Sequence, residues 1–370
     1  MLVLTQLSLA LSVLSSYATA SPLNRRDDIV ETPLDVTIIP IGNAVFSAKV
    51  TNTGSTDLNL FAYGTLLDSA PVEKLNVYNV PDASTKSTDY VQASRIPFTG
   101  ILRTIVRTNL SAEAFIPLAA GATYETTIDA ASVHDFDSET YAFVAEGAIP
   151  YGPIGTTDFP TVAHPYRSNL VAIPVDGPAA RKSKRDLGLE ARAKVQPDCQ
   201  GTNLAAMNTA LANCAKLASA AATAAASGSA ARFNEYFKTT DATVRATVSA
   251  RLAAVAKECS TANSGIVLYY CIDPQTYCKP NVVAYTLAGS NTVVNCPAYY
   301  TALPPLTDVC HNQDEATTTI HEFTHVTAVF APKTQDNGYG YAAAMALTSA
   351  LAVLNADTYA LFANAVLLNC

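Results

Sequence analysis

Hydrophobic residues in the first half of this chain recur in short runs that alternate with polar residues. Between residue 27 and about residue 175, β-branched runs such as 35–39, 45–50 and 58–63 are separated by Gly, Asn, Asp and Pro. A period of two places successive side chains on opposite faces of a strand, and the separating residues favour turns. This part of the sequence therefore predicts an antiparallel β-sandwich or barrel.

From residue 203 the pattern changes to long alanine-rich stretches with helical spacing. Helices are predicted over residues 203–226, 230–238, 241–258 and 354–368. Asp241 has the short acceptor side chain of an N-cap.

Three shorter runs between these helices are rich in β-branched and aromatic residues and predict strands at 266–271, 282–286 and 292–296. Residues 288–291 contain Gly, Ser and Asn and predict the turn between the last two strands. The predicted fold class is therefore α+β, with a β-rich region followed by a mostly helical region that contains a small sheet.

The amino terminus has the pattern of a secretory signal. Residues 2–14 form a short apolar run, and the small residues Ala18 and Ala20 precede a predicted cleavage site after residue 20. The run is shorter than the roughly 20 residues that span a bilayer, which argues against an uncleaved anchor. We therefore expect a signal peptide over residues 1–20, a secreted extracellular protein, and no membrane association after the signal is removed.

A basic cluster at residues 178–186 stands out in a chain whose net charge is −8. In a cytosolic protein such a cluster would suggest a nucleic-acid patch. Behind a signal peptide, Lys184-Arg185 is better explained as a site for a dibasic-specific processing protease in an exposed linker. We therefore expect a β-rich propeptide over residues 21–185, a mature domain over residues 186–370, and no nucleic-acid partner. Arg25-Arg26 is a weaker candidate site.

All eight cysteines lie in the second half of the chain. They are Cys199, Cys214, Cys259, Cys271, Cys278, Cys296, Cys310 and Cys370. An even number in an exported chain favours four disulfides, although spacing alone does not give their connectivity. The absence of a tight C-x-x-C pair argues against zinc ligation by cysteine.

Residues 321–325 have the spacing H-E-x-x-H. On a helix of 3.6 residues per turn, His321 and His325 lie about 40° apart, so both imidazoles can reach one metal ion. Glu322 flanks that position and could take a proton from metal-activated water. Apolar residues before and after the motif, including Val326 and Val329, predict a helix with a buried side. The alternative is a solvated helix face with two histidines that have no function.

A catalytic zinc requires a third protein ligand. A third histidine in the H-E-x-x-H-x-x-G-x-x-H pattern is excluded, because Ala328 and Ala331 occupy the required positions. The downstream carboxylates are Asp336, in a turn-rich segment, and Asp357, in a predicted helix where an exposed or capping aspartate is the ordinary expectation. Asp336 is the better candidate ligand.

Together these motifs resemble the deuterolysin-type, or aspzincin, metalloproteases, the neutral protease 2 group of fungi. Residues 334–340, T-Q-D-N-G-Y-G, match that family's G-T-x-D-x-x-Y-G motif from the threonine onward, whereas Lys333 replaces the first glycine. The resemblance implies a zincin-like domain in which His321, His325 and Asp336 bind one Zn²⁺. It also implies that Glu322 is the general base. It further implies that Tyr339 donates a hydrogen bond during catalysis; the alternative is a packed loop aromatic.

The resemblance carries further expectations. It implies disulfides Cys199–Cys271 and Cys278–Cys296, with the other four cysteines pairing among themselves. It implies a propeptide that assists folding and keeps the protease inactive, and a preference for basic proteins such as histones and protamines. The acidic residues Asp308, Asp314 and Glu315 could serve that preference, or could simply begin a helix as solvated acids.

The predicted function is a secreted zinc endopeptidase made as a zymogen and acting on protein and peptide substrates as a monomer. Two alternatives stay open at this stage. One is a secreted, disulfide-rich binding or surface protein without catalytic zinc. The other is a zinc hydrolase that acts on amides other than peptides.

Overall fold

The upstream half of the chain, up to residue 183, consists mainly of short strands joined by turns. The computed structural model describes residues 33–84, 93–183, 194–261 and 264–370. The upstream strands are β1 Leu34–Gly42, β2 Val45–Asn52, β3 Leu58–Phe61, β4 Asn76–Val80, β5 Ile101–Ile105, β6 Phe115–Leu118, β7 Thr123–Asp129, β8 Thr140–Val144, β9 Glu146–Gly152, β10 Val162–Arg167 and β11 Val171–Pro174. The short helix α1, Gly177–Ala180, follows them.

Ten of these strands form three small sheets, in the orders β1-β2-β7, β10-β9-β3-β6 and β11-β8-β4. The pairing is antiparallel throughout, as predicted. Inward side chains such as Phe46, Leu60, Phe143 and Ile149 form one core that all three sheets share. The runs 35–39, 45–50 and 58–63 named in the sequence coincide with β1, β2 and β3, but the pattern did not predict three sheets.

The downstream half, residues 194–370, consists mainly of helices. They are α2 Gly201–Ser227, α3 Ala230–Phe237, α4 Ala242–Cys259, α5 Pro297–Ala302, α6 Glu315–Thr324, α7 Gly340–Ala346, α8 Ser349–Val353 and α9 Ala356–Leu368. The Asp241 carboxylate accepts hydrogen bonds from the backbone N–H groups of Thr243 and Val244, which confirms the predicted N-cap. Alanines buried along α2 let it pack closely against α4, α6 and α9.

A five-stranded sheet lies beside α6. Four of its strands belong to the downstream half: β12 Lys194–Val195, β13 Leu268–Tyr270, β14 Val282–Leu287 and β15 Thr292–Asn295. The sheet order is β12-β13-β15-β14-β5, so its last strand comes from the upstream half. β14 runs antiparallel to both β15 and β5. The predicted small sheet is confirmed, and the upstream half contributes one of its edges.

Four disulfides hold the downstream half. Two pairs, Cys199–Cys271 and Cys278–Cys296, agree with the expected connectivity. The other two are Cys214–Cys259, which joins α2 to α4, and Cys310–Cys370. The Cys310–Cys370 bridge fixes the end of the chain after α9, next to the segment that leads into α6.

Several predicted features lie outside the described residues. They are the signal peptide at 1–20, the Arg25-Arg26 pair and the Lys184-Arg185 processing site. Within the described part of the chain, every helix is too short or too polar to cross a bilayer.

Candidate metal centre

The helix that carries the H-E-x-x-H motif is buried along its whole length. α6 begins with a capping box, in which the Asp314 carboxylate accepts from the Thr317 backbone and the Thr317 hydroxyl accepts from the Asp314 backbone. The helix ends at Thr324, and His325 is its C-cap with helical dihedral angles. Our expectation that Val326 and Val329 extend the helix was wrong, because the chain turns there. His321 and His325 nevertheless lie on one face.

The loop that carries Asp336 is tied to both neighbouring helices. The backbone N–H of Thr334 donates to the Thr324 carbonyl at the end of α6, and the two threonine hydroxyls are 2.7 Å apart. The Asn355 amide oxygen, just before α9, accepts from the backbone N–H groups of Asn337 and Gly338 at 2.9 and 3.1 Å. These bonds on either side of residue 336 hold its carboxylate against α6.

His321, His325 and Asp336 come together into one group that could hold a metal ion. Oδ1 of Asp336 lies 3.1 Å from Nε2 of His321 and 3.3 Å from Nε2 of His325. A tetrahedral ion with bonds of about 2.0–2.2 Å separates its ligands by roughly 3.3 Å, so this spacing suits zinc. The same three atoms are buried and make no hydrogen bond. Buried polar atoms without partners are rare, and a bound cation would satisfy all three.

Each histidine is oriented through its other ring nitrogen. Nδ1 of His325 lies 3.1 Å from the Thr334 carbonyl oxygen, and Nδ1 of His321 lies 2.9 Å from Oδ1 of Asp357. With Nδ1 donating, the lone pair of Nε2 faces the common point, which is the form that binds metals.

Asp357 was misjudged in the sequence, where an exposed or capping residue was expected. It lies in the first turn of α9, only 2% exposed. Oδ1 of Asp357 accepts a hydrogen bond from His321. Oδ2 accepts a short hydrogen bond from the Gly340 backbone N–H and forms a short ion pair with Arg107. One signal was available in the sequence: once Asp336 is taken as a ligand, Asp357 is the remaining carboxylate downstream of His325, and histidine ligands commonly donate to a carboxylate.

Glu322 is completely buried, next to the two histidines. Burial raises the pKa of its carboxyl group, and the nearby histidines lower it less than burial raises it. Its two oxygens accept hydrogen bonds from the Thr286 hydroxyl on β14 and the Thr104 hydroxyl on β5, each at 2.7 Å. A carboxyl group with a raised pKa beside a metal position suits proton transfer.

Tyr339 follows Asp336 at the start of α7 and is 2% exposed. Its ring lies nearly parallel to that of His321, with centroids 6.2 Å apart. Its hydroxyl donates a short hydrogen bond to the backbone carbonyl of Arg103 on β5. The polar end of Tyr339 therefore points at a peptide carbonyl beside the candidate metal centre.

The charged groups of the candidate metal centre favour a bound cation. Burial lowers the pKa of His321, but the neighbouring carboxylates of Asp336 and Asp357 outweigh burial and raise that pKa to about 10. Burial raises the pKa of Asp336, and the facing histidines reverse this and lower it below its usual range. Both shifts favour a cation between the groups, either a proton or a metal ion.

The other acidic residues singled out in the sequence occupy different environments. Asp314 and Glu315 are buried rather than solvated, and Asp314 caps α6. Burial, together with the Asp314 charge, raises the pKa of Glu315 to about 7. Asp308 is exposed.

Two histidines of the upstream half, and one lysine that contacts this half, do not join the ligand group. Nδ1 of His134 lies 3.1 Å from the Pro97 carbonyl oxygen, and His164 stacks on Tyr151. Both histidines are therefore structural. Lys333, where the resembling family has glycine, donates to the Phe98 carbonyl at 3.0 Å and lies over the Phe98 ring.

Comparison with known proteins places these features in a family. The family model described as Deuterolysin metalloprotease (M35) family matches residues 2–370. The chain belongs to the deuterolysin metalloprotease family. Family membership makes it a zinc-dependent metalloendopeptidase and does not favour the alternative of a binding protein without a catalytic metal.

Individual relatives cover almost the whole chain. A neutral protease 2 homolog of Botryotinia fuckeliana is 49% identical over 364 residues, which is 98% of each chain. One from Sclerotinia sclerotiorum is 51% identical over 339 residues, or 91% of each chain. Neutral protease 2 of Aspergillus oryzae is 41% identical over 367 residues, or 99% of each chain.

Proposed function

We propose that this protein is a secreted endopeptidase, made as a zymogen, in which His321, His325 and Asp336 bind one zinc ion. One observation carries the proposal: three buried ligand atoms without hydrogen-bond partners converge on one point beside Glu322. Two imidazoles and one carboxylate leave the fourth position of a tetrahedral zinc free for water, as catalytic sites require.

The division of labour at this site follows from the contacts. A zinc ion held there supplies Lewis acidity, which polarises a peptide carbonyl and lowers the pKa of water. Glu322 accepts a proton from that water and passes it to the leaving amine nitrogen. Tyr339 donates its hydroxyl proton to a hydrogen bond with the carbonyl oxygen as negative charge develops on it.

The test uses the activated enzyme and the variant Glu322→Gln. A chelator should abolish cleavage of a protein substrate, and added zinc should restore it. Glu322→Gln should keep one zinc per chain and lose about 10²–10⁴-fold in kcat, because an amide cannot accept the proton. A Glu322→Gln enzyme as fast as its parent would show that another group is the base.

The processing proposal divides the chain into a signal peptide at 1–20, a propeptide at 21–185 and a mature domain at 186–370. The location of every candidate catalytic residue and every cysteine after residue 185 supports it. The change Lys184→Ala with Arg185→Ala should block the cut by a dibasic-specific protease. Intact masses of the secreted product would then include the propeptide, and size exclusion would report the proposed monomer.

The proposed preference for basic proteins is supported by one contact. The guanidinium group of Arg107, which follows β5, forms an ion pair with Asp357 beside the candidate metal centre. A carboxylate that accepts an arginine of this chain could accept one from a substrate. Peptide pairs that differ only by Arg or Gln should differ in kcat/KM in favour of Arg, and added salt should reduce the difference. Equal kcat/KM values would contradict the preference.

A further inference from the structure

β5 precedes the proposed processing site, yet it completes the sheet of the downstream half. It runs antiparallel to β14, with Arg103 opposite Tyr285 and Thr104 opposite Ala284. Without β5, the edge of this sheet would be β14. An exposed edge strand is a surface to which an extended peptide adds by backbone hydrogen bonds. β5 therefore lies where an extended substrate would bind.

Two consecutive residues of β5 contact three polar groups of the candidate site, which are Asp336, Tyr339 and Glu322. The Arg103 N–H donates to Oδ2 of Asp336 at 3.2 Å, and the Arg103 carbonyl accepts the short hydrogen bond from Tyr339. The Thr104 hydroxyl donates to Oε1 of Glu322 at 2.7 Å. A strand that served only the sheet would need none of these bonds. They place the Arg103–Thr104 peptide bond between the candidate base and the candidate carbonyl donor.

The downstream half also holds the chain beyond Thr104. The Gln313 side chain donates to the Ile105 carbonyl at 2.8 Å and accepts from the Arg107 N–H at 3.2 Å. The Arg107 guanidinium then reaches Asp357. Groups of the downstream half therefore contact the chain from residue 105 to residue 107, as the residues of a peptide-binding groove contact a bound peptide.

The upstream half is shaped around the same site. The Arg103 side chain is paired with Asp68 and lies over the Tyr63 ring, so residues of the upstream half hold it. Gly64 adopts a φ of +69°, and a Cβ atom there would lie 1.9 Å from the Tyr339 ring. The glycine thus allows the upstream half to close over Tyr339.

We propose that β5 occupies the substrate groove as a substrate analogue, with Arg103–Thr104 in the position of the bond to be cut, and that the Thr104 hydroxyl keeps this bond intact. The proposal rests on the proposed function. Thr104 donates to Oε1 of Glu322 and Thr286 donates to Oε2, so the Thr104 hydroxyl takes a place on Oε1 where a water molecule could otherwise donate its proton. Thr104 thereby makes the upstream half an inhibitor instead of a substrate.

The test compares Thr104→Ala with Thr104→Ser in the full chain supplied with zinc. Alanine frees Oε1 and leaves room for water. The oxygen of a water molecule can then bond to the Arg103 carbonyl carbon, the C–N bond to residue 104 breaks, and the proton that Glu322 takes from this water goes to the released nitrogen. We expect Thr104→Ala to be cut between residues 103 and 104 at least about tenfold faster than the parent, the effect of one lost hydrogen bond. Thr104→Ser keeps a hydroxyl and should stay intact.

Mass spectrometry of the fragments identifies the bond, and Thr104→Ala combined with Glu322→Gln should not be cut. A folded Thr104→Ala chain that stays intact, or is cut elsewhere, would overturn the proposal. If Thr104→Ala does not fold, hydrogen exchange of the parent decides. Amides of β5 should be protected in the intact chain, and β14 amides should gain exchange when proteolytic activation removes β5. Unprotected β5 amides, or β14 exchange unchanged by activation, would overturn the proposal.

The two proposals fail differently. If the activated parent enzyme shows no metal-dependent proteolysis, the proposed function fails, whatever the Thr104 variants do. If that proteolysis is present and the Thr104→Ala bond is not cut, only the inhibitory role of Thr104 and the register of β5 fail.

Discussion

At the scale of single residues, the candidate site depends as much on orienting groups as on ligands. The sequence pattern pointed to His321, Glu322, His325 and Asp336, because their spacing has a direct chemical meaning. It could not point to Asp357 in the same way. That residue acts on His321 through a contact between α6 and α9, which only the tertiary fold creates.

The change Asp357→Ala tests the orienting role in the activated enzyme. Loss of this carboxylate should weaken zinc binding about 10–100-fold, because His321 loses the acceptor that fixes its ring and raises its basicity. Competition with a chelator of known affinity measures the change. Asp357→Asn, which keeps an acceptor oxygen but not the charge, should have a smaller effect.

The matched control is Asp308→Ala, which removes an exposed carboxylate of the same half. Its zinc affinity should equal that of the parent. An Asp357→Ala enzyme that binds zinc as tightly as the control would show that His321 is held by packing alone.

At the scale of elements, the helices and strands of the downstream half were largely predictable. Alanine-rich stretches with a helical period form α2, α3 and α4 close to the expected limits, since local propensity and burial agree there. The end of α6 was not predictable, because Val326 and Val329 continue the apolar pattern although the chain turns. The loop at residue 336 is held by Asn355 through contacts distant in sequence, which no local pattern reveals.

The cap of α6 gives a prediction at this scale. Asp314→Ala should lower the free energy of unfolding by about 1–2 kcal/mol, because the buried carboxylate accepts from the Thr307 and Thr317 backbones and the Thr317 hydroxyl. Denaturant unfolding measures the loss. Asp241→Ala, which removes the exposed cap of α4, is the matched control and should cost less. Equal losses would show that burial of the α6 cap adds nothing.

At the scale of the whole molecule, the two halves are joined through the candidate site. The change of pattern near residue 200 coincides with a change from mostly strands to mostly helices along the chain. It gave no sign that β5 pairs with β14, because strand pairing between distant segments depends on the complete fold. Phe98, just before β5, also contacts Lys333, so the upstream half covers the loop that leads to Asp336.

The full chain should lose stability in acid because His134 is buried in its neutral form. Burial lowers the pKa of this histidine to about 4; the charge of Glu73 and the bond to Pro97 raise it, while Arg95 and Lys333 lower it. The unfolded chain binds a proton near pH 6.5, whereas the folded chain stays neutral until about pH 4. The stabilisation that neutral His134 contributes above pH 6.5 is therefore lost as the pH falls from 6.5 to 4. The free energy of unfolding should decrease by up to about 3 kcal/mol over this range.

Unfolding of the full chain carrying Glu322→Gln, measured across this pH range, checks the prediction. His134→Phe replaces the imidazole with a ring that does not titrate and should flatten the slope of unfolding free energy against pH. His164→Phe changes a half-buried, stacked histidine and should flatten it less. A slope that His134→Phe leaves unchanged would assign the acid sensitivity to other groups.

We propose that His321 of α6, its C-cap His325 and Asp336 of the following loop bind a single zinc ion. Anomalous diffraction at the zinc edge, from crystals of the zinc-loaded protein, locates such an ion. We expect one strong peak about 2.0–2.2 Å from Nε2 of His321, Nε2 of His325 and a carboxylate oxygen of Asp336. A zinc peak that does not contact Asp336, or no peak between the histidines, would contradict it.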